Sequence, residues 1–442
     1  MQAARSKAGS PAGGFRGGAL LRALRHRNYR LFVSGQGISL IGTWLQQVAL
    51  SWLVFRLTHS AVLLGLVGFA GQLPSFLLAP VAGVMTDRWN RRRLLILTQA
   101  LSMLQAALLG ILVLTHRIEV WHVMVLAALL GLVNAFDMPG WQAFVVEMIE
   151  DRADLPNAIA LNSSMVNAAR LVGPAVAGGL LATVGEGWCF LLNAASYVAV
   201  IASLALIRVV PPALEVGAPQ NVLESFREGA IYAFGSPPIR ALLVLLAVMS
   251  LVAMPYSVLM PVYATQNLHG NASTLGWLMA ATGVGALSGA LYLASRPSVL
   301  GLGRIIAGGA LLFGVSLILF SFSRWLGLSL FILMFVGLGM MVQMAGSNTI
   351  LQTIVAEEKR GRVMSFYAMA FMGMAPFGSL LAGALSSHLG VTTTIALGGV
   401  GAVIAALFFA FHLARLREAV RPIYVQKGIL PEALTGVSAV SE

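Results

Sequence analysis

Apolar positions along the 442-residue chain gather into twelve runs of about 20 residues, separated by short polar or charged segments. The runs cover 30–56, 61–85, 93–115, 121–147, 157–184 and 188–207, then 240–266, 274–295, 304–322, 326–354, 362–387 and 391–414. At 1.5 Å of rise per residue, each is long enough as a helix to cross hydrocarbon about 30 Å thick. The interval from Arg208 to Ile239 is the longest internal polar stretch, and it carries Pro211, Pro212, Pro237 and Pro238. It divides the runs into two sets of six. Within it, 221–234 reads as a helix with Leu223, Phe226, Ala230 and Ile231 near one face, which predicts a surface helix joining two bundles. The pattern predicts an all-α membrane protein of twelve transmembrane helices. Its parts are a basic tail (1–29), a six-helix bundle (30–207), a linker (208–239), a second six-helix bundle (240–414) and a C-terminal tail (415–442).

Composition agrees: 58% of residues are hydrophobic and 10% charged, too few polar groups to cover a soluble domain. The net charge of +12 changes the picture only through its placement. Of 28 Lys and Arg, Arg56, Arg117 and Arg324 fall on one side and Arg170 lies inside a run. The other 24 fall on the side of both tails and the even-numbered connections. The positive-inside rule then predicts both termini in the cytoplasm. The positive charge is spent on topology, so no nucleic-acid partner is expected. The first run is too long for a signal peptide. Residues 1–18 read as disordered, and 19–30 as a short interfacial helix in which Leu20, Leu21 and Leu24 alternate with Arg22, Arg25 and Arg27.

Two pieces of sequence recur between the halves. LVGPAVAGGLLATVG from Leu171 parallels GMAPFGSLLAGALSSHLG from Gly373, with Pro174 on Pro376 and Gly178 on the stretch from Leu380 to Gly383. PGWQAFVVEMIED from Pro139 parallels AGSNTILQTIVAEE from Ala345, with Gly140 on Gly346. Both fall on corresponding spans, the pattern of a parallel two-fold repeat.

The connection after the second run reads Gly83-Val84-Met85-Thr86-Asp87-Arg88-Trp89-Asn90-Arg91-Arg92-Arg93. It resembles the signature loop of the major facilitator superfamily at Gly83, Asp87, Arg88, Arg91 and Arg92, with Asn90 near the place of the usual glycine. Physically, Asp87 suits the N-terminus of a facing helix, and the arginines suit Glu147, Glu150 or Asp151 after the fourth span. The expected role is a gate that locks the two halves in one state; the alternative is that the arginines only orient the chain.

Two charges lie within spans. Asp137 is about 15 Å from the Glu147 end of the fourth, and Arg170 about 20 Å beyond Asn157 in the fifth. Antiparallel neighbours would bring both to the midplane, where a lone charge costs at least about 2.5 kcal/mol, so an ion pair is expected. It would be either a static strut or a coupling pair opened by protonation of Asp137. The fifth span also presents Ser163, Asn167, Arg170 and Pro174 along one face, followed by Gly173-Pro174 and Gly178-Gly179. That stretch resembles the helix-five motif of drug–proton antiporters, with three residues instead of two between its glycine pairs. The polar residues Gln36, Thr43, Gln47, Asn134, Asn167, Tyr256, Gln343 and Asn348 are the candidate lining of a central cavity. The superfamily resemblance implies that role for the first, fourth, seventh and tenth spans, although for any one of these residues a structural interhelical bond is the preferred reading. The methionines of the tenth and eleventh spans, among them Met340, Met344, Met369 and Met372, suit packing first and an adaptable apolar surface second.

No phosphate-binding Gly-Lys-Ser/Thr loop, metal-ligand spacing among the histidines or nucleophile–base pair is present, so neither an enzyme nor a cofactor or metal is expected. The single cysteine, Cys189, reads as a packed small residue. NAFDMPGWQAFVVEMI and LPNAIALNSSMVNAARLVGPAVAG resemble the exporter branch that includes enterobactin exporters and macrolide efflux proteins. The implied function is proton-gradient-driven export of a small amphipathic molecule by a monomer embedded in lipid. An importer or facilitator of one metabolite, and a membrane sensor or scaffold, are the alternatives.

Overall fold

The computed structural model describes residues 22–149, 151, 154–208, 222–296 and 298–430. Twelve of its helices are long and apolar enough to cross a membrane. They are α1 (Arg27–Thr58), α2 (Ala61–Arg88), α3 (Arg91–Leu114), α4 (Val120–Glu147), α5 (Leu155–Thr183) and α6 (Glu186–Leu206). Then come α7 (Pro237–Ser257), α8 (Ala272–Ala294), α9 (Leu302–Phe322), α10 (Leu326–Ile354), α11 (Glu357–Leu389) and α12 (Val391–Gln426).

Local chemistry sets several ends. Ser60 accepts from the Leu63 N–H and Asn90 from the Arg93 N–H, satisfying first-turn donors of α2 and α3. Asn271 caps α8 in the same way through Ser273 and Thr274. Gly185 and Gly390 adopt φ of +82° and +81° at the α5–α6 and α11–α12 corners, a conformation that an L side chain resists. Pro255 lacks the N–H that continues an α-helix, and α7 loosens into a π turn at Met249–Ala253 and a 3-10 turn at Met254–Ser257 before a short helix, Met260–Gln266. α12 runs twelve residues past the expected Ala414, because its basic, amphipathic continuation keeps helical hydrogen bonding at the polar boundary.

α1 packs on α5 and α6, α3 on α4 and α6, and α2 on α4; in the second half α10 packs on α8 and α9, and α9 on α12. The outward faces are apolar, with Phe411 82% and Phe322 65% exposed, as lipid contact requires. The two bundles meet along α2–α11 and α5–α8. A Cβ on Gly276 would lie 2.3 Å from Gly178 Cα, and one on Gly383 would lie 3.1 Å from Gly65 Cα. These are backbone-to-backbone approaches that only glycine allows. Gly65 and Gly276 each sit four residues into their helices, and Gly178 and Gly383 each sit seven residues before their corner glycines, Gly185 and Gly390. The repeat register therefore pairs Gly178 with Gly383; aligning Pro174 on Pro376 would have given Leu380.

Both seams lie in the halves of the helices remote from the basic loops. Nearer the middle, Gly373 approaches the Phe76 ring and Phe377 packs edge-on to Phe69 and Phe76. Beyond that level, the faces carrying Asn134, Ser163 and Ser164 are exposed. The bundles are closed on one side and enclose a cleft open toward the basic loops.

Val222–Gly235 of the linker is helical. It docks on the start of α11: Gly229 lies against Arg362 and Phe366, Glu228 pairs with Arg362 at 2.5 Å, and the Phe234 and Phe366 rings stand 6.0 Å apart. Ile231, assigned to the apolar face, is 64% exposed; the side chains of Leu223 and Phe226 lie outside the described residues.

Candidate functional site

Asp137 and Arg170 reach the depth expected of them but do not pair. Gly140, one turn along α4 from Asp137, packs on Leu95 of α3, and this contact turns Asp137 toward α3. There its carboxylate accepts from Thr98 Oγ1 at 2.5 Å and Gln99 Nε2 at 2.9 Å, with the Trp141 indole alongside. No cation among the described residues lies within 4 Å, and Asp137 stays half-buried at the cleft. Dipoles therefore hold the charge, and a proton can come and go without breaking an ion pair.

Behind Asp137 lies a buried polar network that the motifs did not announce. Gln46 of α1 donates to Gln105 of α3 at 3.0 Å and accepts from Asn193 of α6 at 2.7 Å. The Tyr197 hydroxyl sits beside Thr43, Asn193 and Ser102, within the field of Asp137. The stripes Thr98–Ser102–Gln105 and Asn193–Ser196–Tyr197 recur at helical spacing on the third and sixth spans, so periodicity alone contained this signal. In a membrane such groups must find partners inside the protein, and the network supplies them for Gln46 and Asn193 while Gln105 Nε2 stays buried without one.

Arg170 faces the other way. Gly173 of α5 packs on Trp44 of α1, and Gly178 packs on Gly276 of α8. Arg170 projects between those two contact faces, toward the cleft. Its guanidinium lies over the Trp44 ring, 5.2 Å from the centroid, with the Tyr256 phenol across the bundle interface and Thr282 beside that phenol. No carboxylate among the described residues pairs with it, and its Nε is buried without an acceptor. The expected Asp137–Arg170 bridge is thus replaced by two separately housed charges. Spacing gave their depth, while helix rotation sent them to different walls.

The loop motif is only partly described: the surroundings of Gly83 and the side chains of Asp87 and Arg88 lie outside the described residues, as does Glu150. Arg91 pairs with Glu147 at the end of α4, and Arg92 donates to the Leu204 and Ala205 carbonyls at the end of α6 at 2.7 and 2.6 Å. These contacts brace α3 against its own bundle, because all three acceptors sit at helix ends beside the start of α3. Of the helix-five glycines, Gly173 and Gly178 are contact points, whereas a Cβ on Gly179 would meet nothing within 4 Å. Pro174 offers its carbonyl to the same seam, 2.9 Å from a Cβ on Gly276.

The expected cavity lining separates into groups. Thr43, Gln47 and Asn134 are exposed, Gln36, Asn167 and Asn348 half-buried, and Tyr256 and Gln343 almost fully buried at 6% and 3%. Asn167 donates to the Ser163 carbonyl and Asn348 accepts from Gln352. Gln343 belongs to the interior of the second bundle, since the close packing of α10 on α9 encloses it.

At the basic end of α5, Asp154 is 1% exposed and meets Arg22, Arg25 and His26 at 3.2, 3.0 and 3.2 Å. Burial alone would raise the carboxyl, but the hydrogen bonds from Arg25 and His26 and the charge of Arg22 outweigh it and hold it below the usual aspartate range. Tyr29 Oη donates to the Ala158 carbonyl at 2.6 Å, and Asn157 accepts from the Ala23 N–H at 2.9 Å. Of the expected interfacial helix, Arg22–Arg25 is a 3-10 turn latched to α5, because a buried carboxylate draws its arginines away from the lipid surface, and the residues from Arg27 on already belong to α1.

Comparison with known proteins gives a consistent picture. The family model described as transmembrane secretion effector matches residues 19–428. The chain is 26% identical to the staphyloferrin A transporter of Staphylococcus aureus over 393 residues, 88% of this chain and 97% of that one. It is 29% identical to the multidrug efflux pump Tap of Mycolicibacterium fortuitum over 389 residues, covering 85% and 93%. Its fold superposes on a bacterial homolog of the human lysosomal transporter Spinster, solved inward-facing and unoccupied, with a TM-score of 0.65 at 16% identity, covering 91% of this chain and 98% of that one.

Proposed function

Because the chain belongs to the transmembrane secretion effector family, within the efflux branch of the major facilitator superfamily, it is a multi-pass membrane transporter, and we propose that it is a proton-coupled exporter of small amphipathic molecules. The observation that carries the proton reading is Asp137: a carboxylate within the membrane, at the wall of the cleft, held by neutral donors and no cation. Protonation would remove its charge and free Thr98 and Gln99, loosening α4 from α3 without disrupting the rest of the network. The exporter direction is supported by the efflux pumps among the relatives.

The basic face is, on this reading, the inner face of a bacterial cytoplasmic membrane, with both termini inside. The cleft then opens to the cytoplasm and takes up substrate there. Alternating access requires the Gly178–Gly276 and Gly65–Gly383 seams to part while the basic halves close. A small-residue seam suits that motion, since it holds by close backbone packing instead of interlocked side chains. The chain works as a monomer, with the proton gradient as its energy source.

Inverted membrane vesicles carrying the full chain provide the test. With an imposed proton gradient, amphipathic substrates from an efflux panel should enter the vesicles, and each should drive a measurable proton flux. The Asp137→Asn variant should bind substrate but no longer move protons. Uptake that proceeds equally without a gradient, or an unimpaired Asp137→Asn variant, would exclude Asp137 as the coupling site.

A further inference from the structure

Among the described residues, Arg170 is a cation without a counter-ion in a place where one is costly. It lies about 22 Å along α5 from Leu155, near the middle of a membrane-spanning helix. Asp137 is the one acidic residue in the sequence placed well inside a span, and it is bound to Thr98 and Gln99 of α3. Glu147 and Glu186 sit at helix ends and already pair with Arg91 and Arg56. Among the described residues, Arg170 therefore has aromatic and hydroxyl neighbours but no anion.

We propose that Arg170 is the centre of an anion-binding subsite in the cleft, and that the transported molecules carry a carboxylate or similar anionic group next to a flat apolar body. The proposal rests on the exporter reading and narrows its substrate class. A guanidinium presents its donors in a planar fork that fits a carboxylate bidentately. The guanidinium carbon stands over the Trp44 ring, which sets an aromatic side chain beside the fork, next to where the apolar body of a bound anion would lie. Tyr256 acts on Arg170 from the other bundle with Thr282 beside it, and a Cβ on Gly283 of α8 would lie 2.9 Å from the Arg170 carbonyl, so an anion at Arg170 would sit where the two halves meet. A bound anion would then stabilise the arrangement in which the bundles meet around it. The same unpaired charge repels cationic amphiphiles, which gives the site selectivity as well as affinity.

Calorimetric titration of the purified full chain with 2-naphthoate and 2-naphthamide tests this, since the two probes differ chiefly in charge at neutral pH. Wild type should bind the naphthoate roughly tenfold or more tightly than the amide. Arg170→Gln should abolish the preference while leaving amide binding in place, and Arg170→Lys, which keeps the charge but loses the fork, should restore part of it. Amide binding by Arg170→Gln reports that the variant is folded. Equal binding of the probes by wild type, absence of naphthoate binding, or a preference retained in Arg170→Gln would overturn the proposal. Binding is measured without a gradient, so it is separable from the transport reading. Proton-coupled efflux of neutral amphiphiles with no charge preference would sink the subsite alone. A charge preference in a chain that moves no protons with any substrate would sink the exporter alone.

Discussion

The seam between α5 and α8 offers the sharpest test of how the two bundles move. A Cβ at position 276 would lie 2.3 Å from Gly178 Cα, 2.7 Å from Gly178 N and 2.9 Å from the Pro174 carbonyl. Ordinary carbon contacts are about 3.5–4.0 Å, and every obstructing atom is backbone, so no side chain can turn aside. Gly276→Ala must push the helices apart by about 1 Å or more, and overpacking of this kind costs about 1–3 kcal/mol. That penalty falls on the state in which the seam is closed. The population ratio should then shift roughly 5- to 150-fold toward the state open on this side. Ser379→Cys gives a reporter at the other seam: Ser379 is 3% exposed and faces Gly68. The native Cys189 is fully buried and supplies a silent background. Alkylation of the reporter by N-ethylmaleimide in membranes should accelerate by that factor in Gly276→Ala. Gly179→Ala is the control, because its Cβ would meet nothing within 4 Å. Equal alkylation in Gly276→Ala and its parent, or equal acceleration by Gly179→Ala, would refute the idea that the seams open together.

Further expectations concern the charges. Asp137→Asn should keep the fold and substrate binding yet lose substrate-driven proton flux, read with a pH-sensitive dye in inverted vesicles. Arg91→Glu should lower the unfolding temperature by breaking the contact with Glu147, and the Arg91→Glu/Glu147→Arg double variant should recover most of the loss, as a double-mutant cycle reports. Asp154 is held below its ordinary range, so the latch it forms is complete above an unfolded value of about 4 and is lost as pH falls through the lower folded value. Hydrogen exchange around Ala23 and Tyr29 should accelerate in acid, and Asp154→Asn should reproduce the loss at neutral pH.

Hydropathy by itself determined the number of helices and their limits to within a few residues at most ends. Each of these depends on the transfer free energy of a local segment, which needs no knowledge of neighbours. The depths of Asp137 and Arg170 were equally legible, since rise per residue is fixed. Rotation about the helix axis was not legible, because each residue turns the helix by about 100° and the packing of other residues sets the final angle. Gly140 on Leu95 turned Asp137 to α3, and Gly173 on Trp44 turned Arg170 to the cleft. The inter-bundle seams were hidden for a related reason: a glycine in an apolar run looks the same whether it faces lipid or another backbone. Only tertiary structure separated Gly178, in contact with Gly276, from Gly179, which has open space beside it. Sequence thus set what crosses the membrane and how deep each charge lies, while packing decided which charges meet, and here it kept them apart.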